Sequence, residues 1–451
     1  MDKMADVLGR AGAWCGQNKY LSAVKNAFQN FMPFTIAGAV GVLWCNVLVN
    51  SSTGLGLFFK PIMALEVLNP AFSAVNFATI SCITVGVTFG VGEEIGIWNL
   101  GQDQAGYIPG VVALSSLFAV TQSSFSDYAL ITGAGKSAKI VLSDGATTAF
   151  TGFSGQSLGA TGLFTGMIIG ILSVELFCAF SKMDALKIKM PETVPPGVAR
   201  AFEVLIPAVF SITICSLIGL ACYNLTGLYL NDVIKSSIQE PLQGVGSSIP
   251  GVMIIYIVIM LFWLVGIHGN NMLSAVKESL FTPLAIENQE NYLAGKEPTN
   301  VINMWFLQMT GEFGGSGVTI GLVIAILIFG KRADNRAVAG ISIVPGIFNI
   351  NETVTFGIPM VLNPILGIPF VFVPCITIIV GYILTIIGFC PIVRIMAPWT
   401  CPPILFGLIA TASPMGAITQ AILIVISTVC YLPFLIAYER YQNKSAAEAA
   451  E

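Results

Sequence analysis

Long uncharged apolar runs alternate with short polar stretches along most of this chain. In hydrocarbon every backbone N–H and C=O must be paired internally, so apolar runs of about 20 residues read as spanning helices. Phe31–Val49 is one such run, and Val67–Gly92 contains a second. A shorter one at Tyr107–Val120 is followed by Ser157–Phe180, Val204–Tyr223, Gly251–Ile267 and Gly314–Gly330. Later, 41 uncharged residues separate Glu352 from Arg394, and 44 more separate Arg394 from Glu439. Each stretch has room for a span and a further segment. Eight or nine spans are clear, and an irregular one near 270–290 makes ten.

Three regions break this pattern. Segment 121–156 is rich in Ser, Thr and Gly, with Asp144-Gly145 between β-prone runs, which predicts a small β-hairpin in a loop. Its Gly135-Lys136-Ser137 is not a phosphate-binding loop, because Leu130 stands where that motif needs glycine. The other two breaks are Thr310-Gly-Glu-Phe-Gly-Gly-Ser-Gly317 and Pro345-Gly-Ile-Phe-Asn-Ile-Asn-Glu352, the latter leading into Phe356-Gly-Ile-Pro359. Irregular backbone at membrane depth must be buried in protein or line a cavity, so two re-entrant hairpins are expected in the C-terminal half. The plainer reading is loops at the membrane surface.

Composition narrows the class. Of 451 residues, 55% are hydrophobic and only 10% charged, too few charges to solvate a water-borne globule. Lys and Arg total 20 against 24 Asp and Glu, with no basic block, so nucleic acid is excluded as a partner. The ten cysteines stand singly, without CxxC, and read as small apolar fillers rather than a disulfide or metal framework. No cleaved signal is expected at the N-terminus. Thirteen cations fall in four groups: Lys3 to Lys25, Lys182 to Arg200, Lys331 to Arg336, and Arg440 with Lys444. The positive-inside rule places these groups and both termini in the cytoplasm, which requires an even number of spans and favours ten. Pro191, Pro195 and Pro196 make a stiff elbow. The expected domains are a transmembrane half at 1–225, a second at 226–440 and a polar tail at 441–451.

Candidate chemistry collects in the second half. A carboxylate at the bilayer centre costs about 2.5–3.5 kcal/mol on insertion scales, so Glu352 should face a polar cavity. Asn349 and Asn351 beside it can hold sugar hydroxyls. Trp263 and Trp399 can offer flat faces to a pyranose ring, or serve as interfacial belt residues. His268, the single histidine, ends an apolar run and by itself reads more readily as a satisfied interfacial residue. Glu93, Glu94 and Glu175 end or interrupt spans of the first half and read as structural or interfacial.

The segments Phe262-Trp263-Leu-Val-Gly-Ile-His268-Gly269, Gly314-Gly-Ser-Gly317, Lys331-Arg-Ala-Asp334, Gly346-Ile-Phe-Asn-Ile-Asn-Glu352 and Ala397-Pro-Trp-Thr400 together carry a resemblance. In that order they resemble the membrane component, enzyme IIC, of the lactose/cellobiose family of bacterial phosphotransferase systems, similar to diacetylchitobiose and cellobiose permeases. Ser22-Ala-Val-Lys-Asn-Ala-Phe28, Met32-Pro33 and Ile188-Lys-Met-Pro191 extend the resemblance over nearly the whole chain.

The resemblance implies an all-α polytopic protein of the bacterial cytoplasmic membrane. It implies a homodimer whose first half makes the dimer contact, while the second carries sugar across by an elevator-like movement. The sugar would be a β-linked disaccharide, phosphorylated by a separate IIB protein that itself carries the phosphoryl group on a cysteine and that IIA, HPr and enzyme I supply in turn; no cofactor or metal is implied. Glu352 and His268 would lie beside the hydroxyl to be phosphorylated, with Trp263 and Trp399 near the sugar. The chain would thus be the membrane subunit of a sugar phosphotransferase, with its phosphoryl donor elsewhere. Two departures stand out: Thr353 where proline often follows the glutamate, and Glu312 where the family usually has an apolar or aromatic residue. Glu312 can add a cavity charge or alter which sugar is accepted. The competing reading from the residues alone is a proton-coupled sugar transporter in which Glu352 binds the proton.

Overall fold

The computed structural model describes residues 10, 14, 17–50, 56, 59–125, 130–132, 139–141, 150–191, 193–358 and 360–448. Pro359, Gly135-Lys136-Ser137 and Asp144-Gly145 lie outside them. The main helices are α1 (Lys19–Leu43), α2 (Ile83–Leu100), α3 (Ile108–Val120), α4 (Leu163–Ser181), α5 (Leu205–Thr226), α6 (Ile249–Leu264) and α7 (Ser274–Leu293). Then follow α8 (Met304–Gly311), α9 (Ile320–Phe329), α10 (Ala333–Ile347), α11 (Glu352–Gly357), α12 (Gly367–Ile386), α13 (Leu405–Thr411) and α14 (Pro414–Glu448).

Caps explain several boundaries. Helix α1 begins well before its apolar run because the Asn18 carboxamide accepts the Tyr20 and Leu21 N–H groups, each at 3.1 Å. Ser248 accepts the Gly251 N–H at the start of α6. Asn303, fully buried, accepts Trp305 and Phe306 N–H at 3.0 and 3.1 Å to open α8.

Six helical stretches among the described residues are long and apolar enough to cross a membrane. Two bent pairs raise the number to eight: Leu230–Gly246 with α6, at 74°, and Met304–Val318 with α9, at 59°. The fold is an apolar helical membrane architecture. The expected loop at 121–156 holds two short antiparallel pairs, Leu130–Thr132 with Lys139–Val141 and Ser124–Phe125 with Phe150–Thr151. Lys139–Val141 therefore pairs with the strand before it, not with the run after Asp144-Gly145 as the sequence suggests.

The chain forms two compact units. One comprises Asn26–Asn30 and Cys82–Glu240. In it α2, α3 and α4 pack closely through small residues. A Cβ built on Gly92 would stand 2.5 Å from the Cβ of Ala113, so only glycine admits that approach. Thr165 donates to the Asn231 carboxamide at 2.9 Å, and Asn26 to Glu94 at 2.8 Å, so Glu94 holds a structural contact.

The other unit comprises Met1–Lys25, Phe31–Ser81 and Pro241–Glu451; residues 31–81, early in the sequence, thus pack with the later part. Its core includes Ile259, Phe313, Val318, Val354, Phe370 and Tyr431, which surround the expected breaks in helix rather than avoid them. Buried amides satisfy the irregular backbone there, as an apolar solvent demands. The Gln420 carbonyl accepts Ile404 and Gly407 N–H while its amide donates to Met309 C=O at 3.1 Å. Asn288 accepts from Thr299 and Asn300 and donates to Asn300 and Val393 carbonyls.

Candidate functional site

Three interruptions of helix in this second unit carry the candidate residues. Helix α6 ends at Leu264, and Gly266, at φ 81°, turns the chain toward His268. His268 caps the one-turn helix Gly269–Met272, its Nδ1 accepting the Asn271 N–H at 3.3 Å. An imidazole that accepts at Nδ1 carries its proton on Nε2 when neutral. That nitrogen lies 3.9 Å from Oε1 of Glu352. The distance exceeds a hydrogen bond, so both groups retain bonding capacity for a third party. With 39% and 48% of their side chains exposed, both are reachable.

Trp263 backs the imidazole. The ring centroids are 4.3 Å apart at 47°, and Phe356 packs on the indole at 6.5 Å. Trp263 is only 3% exposed, so its packing differs from the open sugar platform the sequence suggests. Its buried indole N–H has no partner among the described residues.

Glu352 opens the short helix α11, directly after a node of side-chain amides. Asn351, nearly buried, donates to Ser316 C=O at 2.7 Å. Asn349 takes a left-handed backbone at φ 64°. Its Oδ1 accepts the Gly314 N–H at 2.6 Å, and its Nδ2 donates to the carbonyls of Trp399 and of Cys401, the latter at 3.2 Å. Asn270, two residues after His268, donates to Ser316 Oγ at 3.1 Å. The GGSG loop is thereby tied to the segment bearing His268 and to the segment bearing Glu352. Gly315, at φ 88°, lies against Asn351, and Tyr431 donates to Gly317 C=O at 2.6 Å.

The structure therefore brings His268, Glu352 and Trp263 together. It engages Asn349 and Asn351 in holding backbone, and it joins Trp399 to the node through its carbonyl, with that residue 44% exposed. Sequence reasoning did not find Asn270, Ser316, Tyr256 or Lys277. Glu312 Oε1 accepts from Tyr256 Oη at 2.9 Å and forms an ion pair with Lys277, whose ammonium lies 5.6 Å from the Tyr256 ring centroid. A lone cation nine residues beyond His268 was the available signal: a carboxylate in apolar surroundings calls for one.

The family model "Phosphotransferase system, EIIC" matches residues 25–374. The chain is 31% identical to the oligo-beta-mannoside-specific EIIC component of Bacillus subtilis (strain 168), over 100% of this chain and 96% of that one. It is 31% identical to the cellobiose-specific EIIC component of Lactococcus lactis subsp. lactis (strain IL1403), over 98% of both. The crystal structure of ChbC, the IIC component of an N,N'-diacetylchitobiose-specific phosphotransferase system, superposes with a TM-score of 0.85 at 29% identity, covering 97% of each chain.

Proposed function

This chain belongs to the phosphotransferase system EIIC family, and from that premise we propose that it is a permease for a β-linked disaccharide of the cellobiose or diacetylchitobiose kind. The sugar is phosphorylated at the cytoplasmic face by a separate IIB protein. The observation that carries this reading is the open pair His268–Glu352, 3.9 Å apart, on a scaffold of fixed backbone.

The chemistry follows from what each group offers. Glu352 accepts the hydrogen bond of a sugar hydroxyl and, as that oxygen attacks phosphorus, takes its proton. The S–P bond of the donor's phosphocysteine breaks as the O–P bond forms, and the thiolate leaves. His268 donates from Nε2 to the phosphoryl oxygens, while Asn271 N–H holds the ring through Nδ1. Positioning and electrostatics supply most of the catalysis of phosphoryl transfer, so a carboxylate and an imidazole suffice. Asn349 and Asn351 hold the GGSG loop and the start of α11 in place, and the exposed Trp399 ring offers a face to the sugar.

The wider architecture of this proposal is a homodimer of ten spans with two re-entrant hairpins, at 310–317 and 345–364. The scaffold half is 1–225 and the moving half 226–440. The four cation groups support cytoplasmic termini and loops in the inner membrane. The test is reconstitution in vesicles: sugar phosphate forms when phosphorylated IIB is supplied and not without it. Accumulation of unmodified sugar on a proton gradient alone would favour the secondary transporter instead.

A further inference from the structure

Glu312 is the one residue of an otherwise buried segment that stays partly open, and its surroundings give it a role. Between residues 309 and 323 every residue is buried except Glu312. Its partners are dry: Lys277 keeps 4% of its side chain accessible and Tyr256 none, whereas Glu312 keeps 16%. The division of labour within the carboxylate is uneven. Oε1 takes both the Tyr256 hydroxyl and the Lys277 ammonium. Oε2 makes no hydrogen bond among the described residues, while the side chain keeps 16% of its surface accessible.

Lys277 pairs with the carboxylate, Tyr256 fixes its orientation, and the second oxygen is left free as an acceptor. A pair serving packing alone has no need of a partly accessible carboxylate in an otherwise dry loop. The loop itself belongs to the sugar site. Gly315 N–H bonds to the Glu312 carbonyl at 3.0 Å, the next amide, Gly314, bonds to Asn349, and Ser316 receives both Asn270 and Asn351.

We propose that Glu312 is a specificity-determining acceptor: its Oε2 binds a hydroxyl of the disaccharide, on a position other than the one phosphorylated, and Lys277 with Tyr256 positions it. This rests on the sugar-permease reading above and names one of that site's contacts. The substrate class follows. The chain selects sugars with an O–H donor at that position over analogues that can only accept there, because a carboxylate cannot donate.

Deoxyfluoro sugars test this, since fluorine replaces a hydroxyl at little cost in size and removes the donor. Binding of cellobiose, β-mannobiose and N,N'-diacetylchitobiose to the full-length protein in detergent is measured by calorimetry. The monodeoxyfluoro series of the tightest binder is then measured on wild type and on K277M/E312L. In wild type, fluorination at one position weakens binding by about 10- to 100-fold, the range for a hydrogen bond to a charged group. In the double variant that penalty falls below about threefold while penalties at other positions persist. Where this variant does not fold, K277M/E312Q serves, with the penalty reduced but not abolished.

A wild-type protein that binds the parent sugar but discriminates at no position overturns the proposal, as does a folded variant that keeps the full penalty. Failure to bind any parent disaccharide overturns the permease reading, and this proposal with it.

Discussion

Gly315 lies so close to Asn351 that a Cβ built on the glycine would stand 2.6 Å from the asparagine Cβ. The glycine also holds φ at 88°, a conformation that costs other residues strain. Replacing Gly315 with Ala should therefore push Asn351 off the Ser316 carbonyl and shift the start of α11, where Glu352 stands. The expected cost is ~3 kcal/mol, from backbone strain and overpacking together. Thermal unfolding in detergent should show a lower transition, and sugar binding should weaken at temperatures where the variant remains folded. An unchanged transition would mean that the loop yields freely.

Asn349 serves three backbone groups at once, accepting from Gly314 and donating to Trp399 and Cys401. Asn349→Ala removes all three bonds and should destabilise by about 1–3 kcal/mol through the groups left unpaired. Asn349→Asp preserves the acceptor for Gly314 but faces two carbonyls with a charge, and should be worse than Ala. The order of their unfolding temperatures checks this. Equal stability of both variants and wild type would remove the amide from the account.

Breaking the Lys277–Glu312 pair from one side leaves an uncompensated charge in a dry place. Lys277→Met alone, or Glu312→Leu alone, should cost ~3–5 kcal/mol, whereas K277M/E312L should cost much less than the sum. Denaturation of the three variants supplies the double-mutant cycle. Additive losses would show that the two side chains act separately.

Glu439 on α14 accepts the Lys331 and Arg332 N–H groups, with Asn335 as a further donor. Glu439→Ala should free the loop before α10 at a cost of about 1–3 kcal/mol, read as faster amide exchange at 331 and 332. In the adjoining first turn of α10 the Arg332 hydrogen bond holds the Asp334 carboxyl below its ordinary 3.8. A lowered carboxyl stabilises the fold above its unfolded value and loses that contribution as pH falls through the folded one. Protection of these amides, taken relative to their intrinsic exchange rate at each pH, should accordingly be flat above pH 4 and fall below it, and Asp334→Asn should remove the dependence.

Much of the site was legible because its signals are contrasts. His268 and Glu352 stand out as polar groups within apolar surroundings, and the Gly-rich and Asn-rich breaks announce irregular backbone by chemistry alone. What the amides do was not legible. An asparagine holds a hydroxyl or a carbonyl with equal ease, and only the fold shows Asn349 bonded to Gly314. Trp263 reads the same in sequence whether its face is open or packed against His268. The pairing of Lys277 with Glu312 joins residues 35 positions apart, and so does that of Asn351 with Ser316. Such pairs leave no periodicity. The strand pairing in 121–156 failed for a related reason: Asp-Gly is a strong turn signal, but it cannot say which neighbouring run takes Lys139–Val141 as partner.

The central claim is that Glu352, facing the Nε2 of His268, receives the proton of the sugar hydroxyl as phosphate arrives. Sugar-phosphate formation by reconstituted Glu352→Gln, with phosphorylated IIB in excess and sugar binding measured on the same preparation, tests it most directly. The account predicts binding within about tenfold of wild type and a phosphorylation rate lower by about 10²–10⁴-fold, the usual contribution of a general base. A variant that binds sugar and phosphorylates it at the wild-type rate would contradict the claim.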